Sequence, residues 1–318
     1  MKLVVTIPAY NEEDTIAKVI SEIPRRVNGI DAVQVLVIDD GSTDNTVTAA
    51  KEAGADRILS HKKNEGLGVT FKDGLETALE MGADIIVNID GDGQYNAAEI
   101  PRLIQPLVDN KADIVLGWRD IDRLTFMPKR KRIGNKVATW LTNMASGMPV
   151  PIKDAQSGFR AFSREAALRM NLSGRYTYVQ ETIIEAKYKG LKIEQIPIEF
   201  RARRGESRLI PSLATYARRA GAIIVGTYWG YHPLRIFSLI GTCLILIGCG
   251  LGAMVLVHFI QHGTLAPQAP AAIAASVLLI TGLQSIILGL FAETIKSQRL
   301  FQEEILYRLK RRESSSNK

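Results

Sequence analysis

The chain of 318 residues is long enough for one large or two ordinary domains with a substantial core. Hydrophobic residues make up 46% of it and charged residues 23%, which excludes a disordered or collagen-like chain. Its two cysteines, Cys243 and Cys249, are too few for a disulfide scaffold or a cysteine-rich zinc site. The net charge of +7 is compatible with nucleic acid, an anionic substrate or a membrane surface as partner.

Short runs rich in valine and isoleucine alternate with helical patterns along the N-terminal part of the chain. The runs predict strands at residues 2–8, 33–39, 84–90 and 113–117, and such continuous apolar strands are typical of a parallel sheet covered on both faces. The helical patterns lie at residues 15–23, 46–53, 69–81 and 97–108. Asn96 and Glu99 are predicted to form a capping box for the last of them. The alternation predicts a doubly wound α/β fold.

Acidic residues follow three of these strands. The strand ends read Pro8-Ala9-Tyr10-Asn11-Glu12-Glu13, Asp39-Asp40-Gly41-Ser42 and Asp90-Gly91-Asp92-Gly93-Gln94. Ligands of such sheets bind beyond the carboxyl ends of the strands. Crowded carboxylates are costly unless a cation lies among them, and carboxylates with water and phosphate suit Mg²⁺ or Mn²⁺.

Two common nucleotide-binding classes are excluded. A dinucleotide fold needs Gly-x-Gly-x-x-Gly directly after a strand, whereas the turn after the first strand is acidic and has no glycine. Gly66-Leu67-Gly68 also lacks the third glycine of that motif. The chain also has no Gly-x-x-x-x-Gly-Lys-Ser/Thr sequence, so a P-loop ATPase is not expected.

The C-terminal part has the pattern of a membrane protein. Residues 236–259 and 271–292 are each long enough to cross a bilayer, which takes about 20 apolar residues. The charge balance is +6 over residues 201–235, zero over 236–292 and +3 over 293–318, which leaves −2 for residues 1–200. The connector at 260–270 has no lysine or arginine, so the positive-inside rule predicts a multi-pass cell-membrane protein whose N-terminal body is cytoplasmic.

The predicted organisation therefore has four parts. Residues 1–208 form an N-terminal α/β domain, residues 209–235 a juxtamembrane amphipathic helix at the headgroups, residues 236–292 a two-helix membrane hairpin, and residues 293–318 a basic cytoplasmic tail. No nucleic-acid-binding module is recognisable, so a membrane surface is the favoured partner of the basic residues.

The strand-end motifs together resemble the family 2 glycosyltransferases of GT-A fold. Later motifs narrow the resemblance to the polyprenyl-phosphate glycosyltransferases, the group that contains dolichol-phosphate mannose synthase. These are Asp154-Ala155-Gln156-Ser157-Gly158-Phe159-Arg160, then Arg203-Arg204-Gly205-Glu206-Ser207-Arg208, and the two C-terminal spans. The resemblance implies a mostly parallel, Rossmann-like nucleotide-sugar domain followed by an interfacial helix and two transmembrane helices.

The resemblance also implies roles for individual residues. It implies a nucleotide-sugar site formed by Pro8, Tyr10, Glu12, Ile38, Asp40, Asp90, Gly91, Asp92 and Arg208. It implies that Asp92 holds a metal on the diphosphate with Asp90 and Gln94 as accompanying ligands. Its catalytic set is Asp92, Arg119, Arg130, Asp154 and Arg203, in which the arginines bind phosphate and Asp154 has a positioning or electrostatic role.

The sequence departs from the family pattern at two places and leaves two further assignments open. Gly134 replaces the serine expected four residues after Arg130, and Arg208 replaces a usual lysine. The run of basic residues 129–132 would also allow Arg132 to take the place of Arg130. Residues Arg201, Arg203 and Arg204 are alternatives for one phosphate contact.

The chemistry expected of such a site needs no general base. A lipid monophosphate has a second pKa of about 6 and is largely dianionic at pH 7. Cations have only to hold it against the anomeric carbon, and direct attack then inverts that carbon. The four histidines have no metal-ligand spacing and are assigned no catalytic role.

The sequence predicts a metal-dependent, inverting enzyme that transfers a hexose from GDP-mannose or UDP-glucose to a dolichyl or undecaprenyl phosphate. One alternative is a polysaccharide synthase, although the Gln-x-x-Arg-Trp sequence of those enzymes is absent. The other is a non-catalytic membrane scaffold that retains a nucleotide-sugar pocket. The sequence leaves the donor, the length of the prenyl chain and the oligomeric state open.

Overall fold

The computed structural model describes residues 1–172, 178–202, 221, 226 and 229–316. The chain divides into two units. The first consists of Met1–Thr227 and Leu306–Lys318, and the second of Tyr228–Ile305.

A seven-stranded sheet forms the centre of the first unit. Its strands are β1 (Lys2–Ala9), β2 (Ala32–Asp39), β3 (Arg57–Ser60), β4 (Ile85–Asn88), β5 (Ile114–Trp118), β6 (Arg160–Ser163) and β7 (Ile193–Pro197). Their order across the sheet is β3-β2-β1-β4-β6-β5-β7. Strand β6 is antiparallel to both of its neighbours, and the remaining pairs are parallel. The expected GT-A-like α/β sheet is confirmed, with one antiparallel strand in it.

Helices cover both faces of this sheet. They are α1 (Ile16–Glu22), α2 (Thr46–Glu52), α3 (Leu67–Glu80), α4 (Ile100–Val108), α5 (Lys129–Ser146), α6 (Arg164–Arg169) and α7 (Val179–Tyr188). Strand β1 is apolar throughout because both of its faces are buried. Leu3, Val5 and Ile7 pack in the core shared with α1, α2 and α4. Val4 packs in the core shared with α3, α6 and α7. Burial on both faces removes the polar alternation of a half-exposed strand.

The predicted elements lie within a few residues of the observed ones, with two differences at the ends. Strand β4 stops at Asn88, before the predicted residue 90, because the chain leaves the sheet there. A 3₁₀ turn, Ala97–Glu99, precedes α4, and Asn96 caps it by accepting the Ala98 N–H at 3.1 Å. The second half of the predicted capping box is wrong, because the Glu99 carboxylate accepts the Glu199 N–H at 2.7 Å instead.

The second unit contains the two predicted spans. Helix α8 (Pro233–His262) and helix α9 (Ala269–Ser316) are long and apolar enough to cross a membrane, with mean hydropathies of 2.5 and 2.1 in their most apolar windows. The helices approach closely at Gly241 and Gly282, where a Cβ on Gly241 would lie 2.6 Å from the Gly282 carbonyl oxygen. Small residues at such a contact allow two membrane helices to pack backbone to backbone. Most of the predicted juxtamembrane helix lies outside the described residues.

The end of helix α9 belongs to the first unit. The Tyr307 hydroxyl donates to Glu165 at 2.8 Å, and Lys310 forms an ion pair with Glu76 at 3.2 Å. The region predicted as a basic tail is therefore helical as far as Ser316. Through Tyr307 and Lys310, the end of α9 contacts α6 and α3.

Candidate active site

A cleft lies at the carboxyl ends of β1, β2 and β4. Its lining residues are Pro8, Ala9, Tyr10, Glu12, Asp40, Leu67, Thr70, Asp90, Gly91 and Asp92. The parallel register of these strands brings together seven residues that the sequence assigned to the nucleotide sugar. Ile38 is not among the lining residues, since its side chain is buried under helix α3 at Gly74.

The loops after β1 and β2 hold each other in place. Asn11 has a positive φ of 54°, and its side chain accepts the Thr43 N–H at 2.8 Å. In return the Ser42 hydroxyl accepts the Asn11 N–H at 2.9 Å, and the Thr46 hydroxyl accepts the Glu12 N–H at 2.8 Å. These bonds fix the backbone that presents Tyr10 and Glu12 to the cleft.

Gly41 explains how the loop after β2 lies so close to the loop after β3. Its φ is +76°, and a Cβ at this position would lie 2.6 Å from the carbonyl carbon of Lys63. Any side chain would push the two loops apart, so the contact requires glycine. The adjacent Asp40 is thereby placed against the loop that follows His61.

Three polar groups among the described residues hold the side chain of Asp40. Oδ1 accepts the Glu65 N–H at 2.8 Å, Oδ2 accepts the Gly66 N–H at 3.0 Å, and Nδ1 of His61 lies 2.8 Å from Oδ1. No role for His61 was expected from the sequence. Its position directly after β3, in register with the residue after β2, is the signal that could have identified it.

Asp90 and Asp92 supply the carboxylates at the end of β4. Asp92 Oδ1 accepts the Gln94 N–H at 3.0 Å, which fixes the turn between them. Asp90 packs against Gly158, where a Cβ would lie 2.9 Å from both of its carboxylate oxygens. Its position is therefore set by the strand-connecting segment before β6 as well as by its own strand.

The donor set of the cleft fits Mg²⁺ or Mn²⁺ held jointly by protein and substrate. Within the described ranges, no group of three or more His, Cys, Asp or Glu side chains is arranged to hold a metal ion by itself. Asp90 and Asp92 do offer hard oxygen ligands to the cleft. Mg²⁺ is commonly bound by one or two carboxylates, with substrate phosphates and water completing the shell.

Gln94, the predicted third metal ligand, is not one of the residues that line the cleft. Its amide nitrogen donates to the Arg201 carbonyl at 3.3 Å, and the Arg201 N–H donates to the Gln94 carbonyl at 2.7 Å. Together with the bridge between Tyr95 and Phe200, these bonds join the turn after β4 to the segment after β7. The side chain that was expected on the metal therefore connects two segments of backbone.

Arg119 and Asp154 form a buried ion pair. Nε lies 2.6 Å from Oδ2 and Nη2 lies 3.1 Å from Oδ1, and the guanidinium also stacks over Phe200 at 4.8 Å. Burial lowers the pKa of Arg119, but the charge and hydrogen bond of Asp154, together with Tyr95 and Asp90, outweigh the effect of burial and raise the pKa above its usual value. The arginine that was predicted to bind phosphate is thus bound by an internal carboxylate in this structure.

A buried tyrosine, Tyr95, interacts electrostatically with both Arg119 and Asp90. The Tyr95 hydroxyl accepts the Gly158 N–H at 2.9 Å, and burial raises the pKa of Tyr95 to about 12. The phenol therefore stays neutral at physiological pH. Behind it, the fully buried Arg160 donates to the carbonyl oxygens of Ser157 at 2.8 Å and Val179 at 2.7 Å.

The structural role of Arg160 could be predicted only in part from the sequence. Burial lowers the pKa of Arg160 to about 10, which still leaves it positively charged at neutral pH. Its charge offsets the buried carboxylates in front of it. Arg160 therefore shapes the segment from Asp154 to Gly158 through its hydrogen bonds, a role that its motif alone did not indicate.

The remaining predicted arginines lie in different surroundings. Arg130 is exposed in the first turn of α5. Arg201 binds Glu22 at 2.8 Å, so it is already paired, unlike a residue that awaits phosphate. Arg203, Arg204 and Arg208 lie outside the described residues.

The comparisons with known proteins agree with the fold and with the position of the cleft. Residues 4–169, about half of the chain, match the glycosyl transferase family 2 model. A Haloferax volcanii protein named glycosyltransferase AglJ is 32% identical over 302 residues, which cover 91% of this chain and 94% of that protein. A Methanococcus voltae UDP-N-acetylglucosamine–dolichyl-phosphate N-acetylglucosaminyltransferase is 33% identical over 214 residues, covering 61% of this chain and 83% of that protein.

A solved structure provides a comparison of the fold. Glucosyl-3-phosphoglycerate synthase from Mycobacterium tuberculosis, crystallised with Mn²⁺, UDP and phosphoglyceric acid, has a TM-score of 0.56 and 25% identity. The similarity covers 71% of this chain and 78% of that one. Since the family match covers about half of the chain and contains the strand ends that form the cleft, this chain belongs to glycosyl transferase family 2 and is a glycosyltransferase.

Proposed function

We propose that this protein transfers a sugar from a nucleoside diphosphate sugar to a polyprenyl phosphate in a membrane. The observation that carries the proposal is one chain that combines the acidic cleft at β1, β2 and β4 with two helices able to span a bilayer. A soluble acceptor would need no such helices. The dolichyl-phosphate acceptor in the name of the Methanococcus relative supports the same class of lipid.

Helix α5 gives further support for a membrane acceptor. Its buried face is formed by small and polar side chains, whereas Ile133, Val137, Trp140 and Met144 are between 50% and 62% exposed. Their spacing places them along one side of the helix. The basic residues 129–132 lie at the start of the same helix. An apolar stripe next to arginines and lysines is suited to the interface of an anionic lipid layer.

The cleft residues divide the work of binding the donor. Tyr10 offers a ring for the base or ribose, and Asp40 offers a carboxylate oxygen to a donor group of the nucleoside. Asp90 and Asp92 would hold Mg²⁺ or Mn²⁺, which supplies positive charge to the departing diphosphate. Arg119 remains charged beside Asp154, and we propose that the pair keeps the floor of the site in one geometry.

The acceptor needs positioning more than deprotonation. A phosphate monoester with a second pKa of about 6 is mostly a dianion at neutral pH and is already nucleophilic. Arg130 and Arg203 are the residues that we assign to hold it, and Arg208 contributes to the nucleotide-sugar site. Attack from the face opposite the diphosphate inverts the anomeric carbon.

The charge pattern supports a membrane orientation and domain boundaries for this protein. The basic residues that flank the two spans favour a cytoplasmic catalytic unit, with residues 260–270 on the other side. We assign the catalytic domain to residues 1–208; most of the juxtamembrane segment 209–235 lies outside the described residues.

The test is a transfer assay on the full-length protein in detergent. Radiolabelled UDP-sugars and GDP-sugars are incubated separately with polyprenyl phosphate and Mn²⁺, and the lipid is extracted into organic solvent. We expect label in the lipid with one donor class, a loss of at least about 100-fold with Asp92→Asn, and no loss with the exposed control Asp109→Asn. Absence of labelled lipid with every donor would refute the proposal.

Two further measurements test its finer parts. Chelation with EDTA should stop transfer, and Mg²⁺ or Mn²⁺ should restore it. The anomeric configuration of the product, read by nuclear magnetic resonance, should be opposite to that of the donor. Transfer that persists in EDTA would refute the metal dependence, and retained configuration would refute direct attack by the lipid phosphate.

A further inference from the structure

His61 lies beside the nucleotide cleft because of strand register. It is the first residue after β3, and Asp40 is the first residue after β2. These strands pair in parallel with Asp39 opposite Ser60, and the His61 N–H donates to the Asp39 carbonyl at 2.9 Å. The ladder therefore sets the imidazole next to the Asp40 carboxylate, in a fixed orientation.

Both nitrogens of this imidazole face carboxylates. Nδ1 lies 2.8 Å from Oδ1 of Asp40, and Nε2 lies 3.1 Å from Oδ2 of Asp73 on helix α3. The side chain of His61 is 11% exposed and that of Asp40 is 6% exposed, whereas Asp73 is 33% exposed. Ionised carboxylates only accept hydrogen bonds, so both bonds form at once when both ring nitrogens carry a proton.

These contacts leave Asp40 with little freedom. A carboxylate has about four acceptor positions, and three donors from the described residues reach this one. Two of them, Glu65 N–H and His61 Nδ1, bind Oδ1, and Gly66 N–H binds Oδ2. The acceptor position that remains is on Oδ2, and Asp40 is one of the residues that line the cleft. One donor group of a ligand can therefore be accepted there in a defined direction.

We propose that His61 is a positioning residue for the nucleoside part of the donor. It holds Asp40 so that Oδ2 accepts one hydrogen bond from the base or ribose of a nucleoside diphosphate, and Asp73 holds His61 in turn. The proposal rests on the proposed function, because that function assigns the cleft to a nucleoside diphosphate sugar. It assigns His61 no contact with the reacting atoms.

Three substitutions at one position separate this role from simple packing. The amide nitrogen of His61→Asn lies near the position of Nδ1 and keeps a donor to Asp40. That of His61→Gln lies near the position of Nε2 and keeps only a donor to Asp73. His61→Ala keeps neither. Affinities for UDP and GDP are measured by titration calorimetry on the full-length chain in detergent micelles.

We expect His61→Ala to weaken the nucleotide that binds the native chain by about tenfold, in line with loss of one hydrogen bond to a charged group. His61→Asn should stay within about threefold of the native affinity, and His61→Gln should be as weak as the alanine variant. The KM for the nucleotide sugar should rise in parallel while kcat stays unchanged, because the lost contact is equal in the ground and transition states.

The contribution of Asp73 is measured in a double-mutant cycle. Asp73→Ala alone should weaken nucleotide binding by about threefold. In the His61→Ala background it should have no further effect, since Asp73 acts only through the imidazole. The control is Glu80→Ala on the same helix, where the side chain is 62% exposed and pairs with Arg57. This control should bind as the native chain does.

The outcomes decide between the two proposals. Native affinity in His61→Ala, equal affinities in the asparagine and glutamine variants, or additive losses with Asp73 would overturn the positioning role and leave the proposed function intact. If the native chain binds neither UDP nor GDP, both proposals are overturned. If it binds a nucleotide but transfers no sugar to polyprenyl phosphate, the proposed function fails and the binding series still decides the role of His61.

Discussion

The guanidinium of Arg119 and the carboxylate of Asp154 meet in a two-point ion pair that is almost completely removed from solvent. The two side chains are 6% and 1% exposed. They are 35 residues apart in the sequence. They meet because Arg119 directly follows β5, and Asp154 lies in the segment before β6, which is the neighbour of β5 in the sheet. A buried pair of this kind contributes little net stability, but removal of one partner leaves an uncompensated charge.

Loss of the Asp154 charge should therefore affect stability and transfer together. We expect Asp154→Asn to lower the free energy of unfolding by about 3 kcal/mol, because Arg119 stays buried without its counter-ion. Transfer should fall by at least about tenfold if the pair sets the floor of the site. Thermal unfolding of the detergent-solubilised chain measures the first effect, and the lipid-transfer assay measures the second.

A double variant separates the two effects. Arg119→Met with Asp154→Leu replaces both charges by apolar side chains of similar size and should recover most of the stability. Transfer should remain low, because the double variant lacks the proposed positioning by the charged pair. Native transfer by the double variant would show that the pair serves folding only.

Gly158 should be intolerant of a methyl group. The Cβ of Gly158→Ala would lie 2.9 Å from both carboxylate oxygens of Asp90 and 3.0 Å from the Tyr178 hydroxyl. Asp90 would have to move, and a shift of about 1 Å at a catalytic group can cost about 100-fold in rate. The matched control is Gly250→Ala, since no described atom lies within 4 Å of its Cβ position.

The readouts for this pair are transfer rate and unfolding temperature. Gly158→Ala should transfer poorly while it keeps nucleotide binding through the loops of β1 and β2. Gly250→Ala should match the native chain in both measurements. Equal transfer rates for the two variants would contradict the conclusion that the segment before β6 sets the position of Asp90.

The strand ends that form the cleft could be predicted because their signals are local. Buried strands such as β1 and β2 are long apolar runs, and the polar residues that follow them mark the edge where ligands bind. Membrane helices can be predicted equally well, because a long, uncharged apolar segment forms few other structures.

The remaining features depend on tertiary contacts. Strands β6 and β7 have four and five residues with polar positions among them, and pairing across the sheet defines them more than their own pattern does. Helix α5 buries small polar residues and exposes large apolar ones, so hydrophobic periodicity would assign its faces the wrong way round. The bonds of His61 and Arg119 join residues distant in sequence, which no local motif reports.

The pH dependence of stability should contain a contribution from Glu185 on helix α7. Burial raises the pKa of Glu185, although Lys189 at 2.9 Å opposes the shift. The folded chain then holds this proton more tightly than the unfolded chain. The resulting stability is present below the ordinary pKa of 4.5 and is lost as the pH rises through the raised value.

Substitution by glutamine removes this contribution. The unfolding temperature of Glu185→Gln, relative to that of the native chain, should rise as the pH increases from about 4 to about 8. Glu80→Gln on the exposed side of α3 serves as the control, and its difference should stay nearly constant. A difference for Glu185→Gln that does not vary with pH would contradict the assigned shift.

The exposed stripe of α5 should matter for a lipid acceptor and leave the donor unaffected. Trp140 is 62% exposed, and on the membrane proposal its ring lies among headgroups and acyl chains. We expect Trp140→Ser to lower transfer to a long-chain polyprenyl phosphate in nanodiscs by about fivefold. The reason is that partial burial of a large aromatic side chain in the bilayer stabilises the bound state by about 1 kcal/mol. Transfer to a short, water-soluble prenyl phosphate should be unchanged, as should the KM for the nucleotide sugar.

The control for this stripe is a substitution of an exposed residue elsewhere, Lys51→Ser at the end of α2. It should transfer to both acceptors at the native rate. If Trp140→Ser lowers transfer to the long and short acceptors equally, the side chain supports the fold of the site and does not contact lipid. A loss confined to the long-chain acceptor that deepens when anionic lipid is removed would place α5 at the bilayer surface, because its basic residues then lose their attraction to the headgroups.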